Sequence, residues 1–272
     1  MANDREFLGR KVFFLNPPML FEDEVIERLR IMEYEVYAIR EYNKLKNYLA
    51  LNPQSIVFVT PNDMLTPVGW RKLISVVEDE SASFGPVDVG VIMHKMNESA
   101  ERLLMTGIKC ACGSMHFEDG HDVLFQQIVR ALDACKAHGL RRNVRASCMN
   151  DKTAEVYCMK NTRMLRFKMI DISSAAIATK FPAHLAGEIF ESMLIPDARI
   201  NMRRSYVNAS LKISAIKQVG DNLLVIFEYG VGTVPDSMKK IREYVGELLS
   251  QNLEASIVGM PVDKTDYNKK EA

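Results

Sequence analysis

From Arg10 to Leu132, short runs of β-branched and aliphatic residues alternate with longer segments whose apolar positions recur at helical spacing. Lys11-Val12-Phe13-Phe14-Leu15 reads as a strand stopped by Asn16-Pro17-Pro18, after which Val25, Ile26, Leu29 and Met32 recur every three or four residues and predict a helix. Glu35–Ile39 predicts a second strand, Asn43–Ala50 a short helix, and Ser55–Thr60 a third strand closed by Pro61. Trp70–Val77 predicts a helix, Val87–Met93 a fourth strand, Ser99–Met105 a helix and Ile108–Cys112 the last strand, before a final helix marked by Val123, Ile128, Val129 and Leu132. Strands that are apolar on both faces, each followed by a helix, predict an α/β domain: a doubly wound parallel sheet covered by helices.

The rhythm changes near Arg141. Ala154–Met159, Met164–Ile170, Ala175–Thr179, Phe190–Leu194, Leu211–Ile216 and Leu223–Tyr229 follow one another as strand-like segments with turn residues between several of them. Leu211, Ile213 and Ala215 alternate with Lys212 and Ser214, the period of a half-solvated strand, and Gly220-Asp221-Asn222 marks a hairpin turn. Without intervening helices the sheet is predicted antiparallel, as a small six-stranded β-barrel. After Pro235, the positions Met238, Ile241, Val245, Leu248 and Leu249 mark an amphipathic closing helix, with Asp236 or Ser237 placed to cap it. The expected division is an α/β domain over 1–138, a barrel domain over 139–258 and a disordered tail over 259–272.

Composition then narrows the function classes. The formal net charge is zero over 272 residues, but 15 basic and 20 acidic residues precede Ala137, so an acidic first half is balanced by a basic second half. That balance removes the case for gross electrostatic attraction to DNA, RNA or an anionic membrane, and nucleic acid is not an expected partner. Met1–Lys11 is polar, and no stretch approaches the roughly 18 consecutive apolar residues of a spanning helix, so a cytoplasmic protein without membrane insertion is expected. Five cysteines, an odd count, fit reduced thiols; Cys110 and Cys112 with His116 and His121 lack the usual zinc spacing, and no metal or cofactor is expected. There is no Gly-x-Ser-x-Gly elbow, phosphate-cradling Gly-rich loop, His-Glu-x-x-His or dinucleotide fingerprint, which argues against an enzyme.

The residues with the clearest chemistry stand at the change of rhythm. Arg141, Arg142 and Arg145 fall within five residues, and each guanidinium can pair bidentately with a phosphate and stack on a purine face. Downstream, Asp171 and Ser173 occupy a polar corner in a strand, where an acceptor-only carboxylate and a hydroxyl can read a base edge. A second basic group, Arg199, Arg203 and Arg204, is expected in a Pro196–Tyr206 loop, either extending a ligand site or as a hydrated surface.

In these residues the sequence resembles the PilZ family of bacterial β-barrel receptors for cyclic di-GMP. Arg141 and Arg145 match its Arg-x-x-x-Arg, and Asp171 and Ser173 match the first positions of its Asp/Asn-x-Ser-x-x-Gly. Ala176 stands where the family has glycine. Glycine tolerates positive φ and close ligand approach, so the cost of the methyl depends on the backbone: mild, about 1 kcal/mol, if strand dihedrals hold, and larger if φ is positive. The resemblance implies that Arg141 and Arg145, with Arg142 beside them, clasp guanine and phosphate groups while Asp171 and Ser173 hold a guanine edge.

The first domain resembles a response-regulator receiver in layout, but strand one ends in Asn16-Pro17-Pro18 and strand three in Thr60-Pro61-Asn62, with Asp63 beyond the proline. The hydroxyl residue expected after strand four falls near His94-Lys95, and the lysine after strand five near Ser114-Met115. The phosphorylation residues are therefore missing, as in a pseudo-receiver. The expected whole is a non-enzymatic bacterial signalling protein that binds cyclic di-GMP, relays it by interdomain rearrangement and acts on another signalling or motility protein. The alternative is a degenerate PilZ and pseudo-receiver interaction module that binds no nucleotide. Whether the chain forms a homodimer is left open.

Overall fold

The computed structural model describes residues 9–79, 85–160, 162–203 and 205–269. They cluster into two compact units, one reaching to Arg142 and resuming at Leu253, the other Asn143–Asn252.

The first unit holds a parallel sheet of β1 (Val12–Leu15), β2 (Val36–Ile39), β3 (Ile56–Val59), β4 (Asp88–Met93) and β5 (Ser114–His116) in the order β2-β1-β3-β4-β5. The connecting helices are α1 (Met19–Phe21, a π-helical stretch Glu22–Ile26, then Glu27–Ile31), α2 (Leu45–Leu51), α3 (Pro67–Asp79), α4 (Glu98–Met105) and α5 (His121–Ala134). All residues of β1 and β3 are buried, as required of strands covered on both faces. Phe14 stacks on Phe58 at 5.1 Å between ring centroids. Gly90 in β4 makes room for that ring, because a Cβ there would lie 2.6 Å from the Phe58 Cδ1 atom.

The expected fifth strand is displaced. Ile108–Cys112 is not a strand, because Cys110 has φ +47° and Gly113, just beyond it, φ +77°; Cys112 N–H donates to the Val89 carbonyl at 2.9 Å, and the paired register with β4 starts with Val91 opposite Ser114. Two left-handed residues break a run whose apolarity alone reads as a strand.

The second unit is a barrel of β7 (Glu155–Lys160), β8 (Arg163–Ser173), β9 (Ala176–Pro182), β10 (Leu194–Met202), β11 (Ser205–Val219) and β12 (Asn222–Tyr229), with short β6 (Arg145–Ser147) preceding them. The order β8-β7-β10-β11-β12-β9 closes through β8–β9 pairing into a six-stranded antiparallel ring, and β6 adds to β8 outside it. Phe167 stacks on Phe181 at 4.4 Å and meets Phe227 edge-on at 5.0 Å inside the barrel. Helix α6 (Pro235–Ser256) joins this core through Ile241, Tyr244, Val245 and Leu248. The Tyr244 phenol also donates to Asp151 Oδ2 at 2.6 Å.

Three local expectations are corrected. Phe190–Leu194 is not a strand; the strand starts at Leu194 and runs through Pro196, so Arg199 lies in β10 rather than in a loop. Proline is tolerated there because the β10–β11 register shifts between Ile195 and Ala198, a bulge where a missing N–H breaks no regular pair. Arg203 sits at φ +47° in the following turn, and Arg204 lies outside the described residues. Neither expected cap residue caps α6: Ser237 Oγ donates to the Asn208 carbonyl at 2.9 Å, and Asp236 pairs with Lys240 at 2.8 Å.

The tail is a further correction. Residues 260–269 lie along the α/β unit, where Asp263 N–H donates to the Asn43 carbonyl at 3.0 Å, Thr66 N–H donates to Asn268 Oδ1 at 2.8 Å, and Tyr267 is 3% exposed. No helix among the described residues is long and apolar enough to cross a membrane.

The Asp263 carboxylate anchors this segment. Burial alone raises its pKa, but hydrogen bonds from Thr265 and Tyr267 and the nearby Lys46 ammonium outweigh burial and hold it down at about 2. Asp263→Ala is expected to cost about 1–2 kcal/mol in urea unfolding at neutral pH. Because the folded pKa is depressed, the wild-type advantage is full above about pH 4, the unfolded carboxylate range, and fades as pH falls toward about 2.

Candidate functional site

The sequence-predicted polar residues of the barrel meet where β6 joins β8. Arg145 pairs with Ser173, Ala146 with Ile172 and Ser147 with Asp171 in an antiparallel register. Opposed residues share a face and faces alternate along each strand, so Arg145, Ser147, Asp171 and Ser173 share one side. Ala146 and Ile172, both 0% exposed, take the other side, which is the core. The four polar residues therefore belong to the outer wall.

A break in β8 sets this arrangement. Its pairing with β9 shifts register between Met169 and Asp171, and the bulge brings Asp171 and Ser173 into step with β6. Arg145 is exposed and Asp171 half-buried. Ser173 is 2% exposed and committed to the β8–β9 turn: its Oγ accepts from Ala176 N–H at 3.0 Å and Ala175 N–H at 3.3 Å, and donates to the Ala176 carbonyl at 3.1 Å. Ala176 opens β9 opposite Glu228 and is not a positive-φ residue. Its backbone is thus of the kind any residue adopts, and the smaller of the two expected penalties applies. Arg141 and Arg142 end the first stretch of the other compact unit, half-buried and exposed respectively.

Two supports escaped the sequence reading. Asn143 Nδ2 donates to Ser174 Oγ at 3.1 Å, tying the entry of β6 to the turn. The Tyr229 hydroxyl donates to the Ser173 carbonyl at 3.3 Å from β12, and burial pushes its pKa well up, so it remains a donor. An asparagine two residues before Arg145 and a tyrosine ending an apolar strand were the only available signals.

The titratable groups here do not build a nucleophile. Burial raises the Cys148 thiol to about 12, with the Asp171 and Asp151 carboxylates adding to the effect, and burial raises Cys158 to about 11. Burial also raises Cys110, Cys112 and Cys135, so all five thiols stay protonated near neutral pH. Among the described residues, no group of three His, Cys, Asp or Glu side chains is placed to hold a metal ion.

At the carboxyl edge of the α/β sheet, a cleft of about 320 Å³ is lined by Asp63, Trp70, His94, Lys95 and Asn97, among others. Asp63 is exposed in the turn after Pro61. The corrected β5 ends at His116 and is followed by Phe117 and Glu118 rather than a lysine, and Glu118 accepts from Lys95 N–H at 2.7 Å. β1 is followed by Asn16, Pro17 and Pro18.

The barrel with its closing helix is similar to PilZ domains of known structure. One is the PilZ domain of YcgR from Escherichia coli, solved with c-di-GMP, at 16% identity over 43% of this chain and 96% of that chain, with a TM-score of 0.37. Others are the inhibitor of motility MotI/DgrA of Bacillus subtilis (16% identity, 42% of this chain, 51% of that chain, TM-score 0.34) and the K. pneumonia MrkH–c-di-GMP complex (16%, 42%, 53%, 0.37). No family model and no curated protein matches the chain by sequence.

Because Ser173 serves the turn, Ser173→Ala is expected to cost about 1–2 kcal/mol in urea unfolding by leaving two amide donors without their acceptor. Ala176→Gly gains nothing in backbone freedom at a strand position, and is expected to lower stability by up to about 1 kcal/mol. A rise in stability on introducing glycine at this position contradicts the strand assignment.

Proposed function

We propose that the protein is a non-enzymatic signalling receptor that binds cyclic di-GMP on the outer barrel wall where β6 meets β8. The observation that carries this reading is the register that sets Arg145 opposite Ser173 and Ser147 opposite Asp171, placing a guanidinium and a carboxylate on one outward face. The two groups are complementary to the parts of such a ligand. A guanidinium pairs with phosphate oxygens or stacks on a purine plane, whereas a carboxylate accepts the N–H donors of a guanine edge. Arg141 and Arg142, which precede β6 in the sequence, are the further cations that the resemblance to the PilZ motif implies. Ser173 contributes by shaping the corner, and its contact with ligand is secondary to the three bonds it makes within the turn.

The same segment supplies the relay. Arg141 and Arg145 lie on opposite sides of the division at Asn143, so a ligand held by both constrains the covalent connection between the two units. Differential affinity for two arrangements of that connection shifts their populations, and no other coupling is required. The output is a further signalling or motility protein. A second reading, an interaction module without nucleotide, is favoured by the committed Ser173 hydroxyl and by Ala176 in the glycine position.

Calorimetry separates the two. Cyclic di-GMP is expected to bind the full chain, and Arg141→Ala, Arg145→Ala and Asp171→Ala each weaken it by about a hundredfold or more, since each removes a charged partner from a desolvated contact. Absence of both heat and thermal shift at saturating nucleotide rejects the receptor reading in favour of the interaction module.

A further inference from the structure

Another part of the barrel wall has a preformed opening with its own chemistry. Among the described residues the β7–β10 ladder contains three pairs, Arg199 with Tyr157, Ile200 with Val156 and Asn201 with Glu155. Beyond Tyr157, β7 continues to Lys160 on β8 alone, while β10 toward its start follows β11 through the bulge at Pro196 and Asp197. A cleft of about 300 Å³ lies beside this end of the ladder, bounded by Tyr157, Met159, Met164, Asp197, Arg199 and Asn201.

The polar groups around the cleft are held in place. Arg199 lies over the Tyr206 ring at 3.8 Å, and its Nε donates to Asn201 Oδ1 at 3.2 Å, which fixes the guanidinium plane and leaves the Asn201 amide nitrogen as a donor. Tyr157 is fixed by its hydroxyl bond to Glu155, a 6% exposed carboxylate clamped by Arg166 Nε at 2.8 Å and Nη2 at 2.5 Å. Opposite these, Met159 and Met164 pair across β7 and β8 and are each 61% exposed, an adaptable apolar surface left uncovered.

We infer that this cleft is a second small-molecule site, for a planar purine-type heterocycle whose edge carries both donors and acceptors. The two thioethers and Tyr157 take the ring face. The Arg199 fork and the Asn201 amide donate to ring acceptors, and Asp197 accepts from ring N–H groups. Guanine fits this set better than adenine, since it presents two acceptors to an arginine fork and N–H donors to a carboxylate. The site is separate from the β6–β8 wall: Met164 and Asp171 are seven residues apart on β8, roughly 23 Å at the rise of an extended strand.

The test uses the full chain carrying Arg145→Ala, which disables the wall at β6, and guanosine 5′-monophosphate as the probe. The expected result is saturable, submillimolar binding by calorimetry that persists in Arg145→Ala and falls at least tenfold when Arg199→Ala is added. Asp197→Asn erases the preference for guanosine over adenosine monophosphate. Met164→Trp, at an exposed position that tolerates bulk, blocks the cleft without touching Arg199 should the arginine variant fail to fold. The inference is overturned if the probe does not bind, or if binding disappears in Arg145→Ala and is unaffected by Arg199→Ala and Met164→Trp. Failure of cyclic di-GMP to bind the wild type leaves these outcomes unchanged, so the two readings fall separately.

Discussion

The barrel depends on one strand that pairs three ways. Over Arg163–Lys168, β8 is bonded to β7; from Lys168 onward it is bonded to β9, closing the ring; and at Asp171–Ser173 its other side takes up β6. A straight, regular strand cannot serve partners that diverge in this way, and the register shift after Met169 supplies the bend. The same bend sets Asp171 half-buried on the outer face and Ser173 in the turn, while Ile172 stays in the core. Closure of the hydrophobic interior and placement of Asp171 on the outer wall are therefore one geometric event, which is why the candidate wall sits at the seam of the barrel.

Much of this was legible from periodicity. Phe13-Phe14-Leu15 and Ile56-Val57-Phe58-Val59 read as two-sided buried strands because their environment is apolar on both faces, and Leu211 and Ile213 alternate with solvated neighbours as expected of a half-solvated strand, until the bulge after Ile213 leaves Ala215 exposed. Legibility ended where backbone conformation overrode composition. Ile108–Cys112 is as apolar as a strand but contains a left-handed Cys110, and Leu194–Met202 is a strand despite Pro196 because a bulge absorbs the proline. The pairing of Arg145 with Ser173 was beyond reach as well. Motif spacing supplies the residue types, but a shift of one residue in register points each side chain to the opposite face, and only the ladder fixes that.

The ladder also redistributes roles within the motif. A serine two residues after an aspartate reads equally as ligand contact or as turn support, and in the structure its hydroxyl makes three bonds within the β8–β9 turn. Alanine next to such a turn is then less costly than it looks from the sequence, since the turn is held by a side chain and not by a left-handed glycine. The recognition chemistry shifts toward Arg145 and Asp171, the two members of the pattern whose charge cannot be replaced by backbone geometry.

The tail shows the opposite failure of composition. Residues 259–272 are polar and charged, the signature of a segment that buries too little to offset its ordering entropy. One aromatic and one carboxylate change that balance. Tyr267 is buried against Tyr42 at 6.3 Å, and its hydroxyl donates to Asp263 Oδ2 at 2.6 Å, so a single side chain supplies both apolar burial and the partner that satisfies a partly buried charge. Asp263 in turn takes the Thr265 hydroxyl and lies 3.4 Å from Lys46. Average polarity cannot register two anchors among so many polar neighbours. The physical consequence is that the chain enters the α/β unit twice, before Arg142 and after Leu253, and the barrel is an insertion between two parts of one folded body.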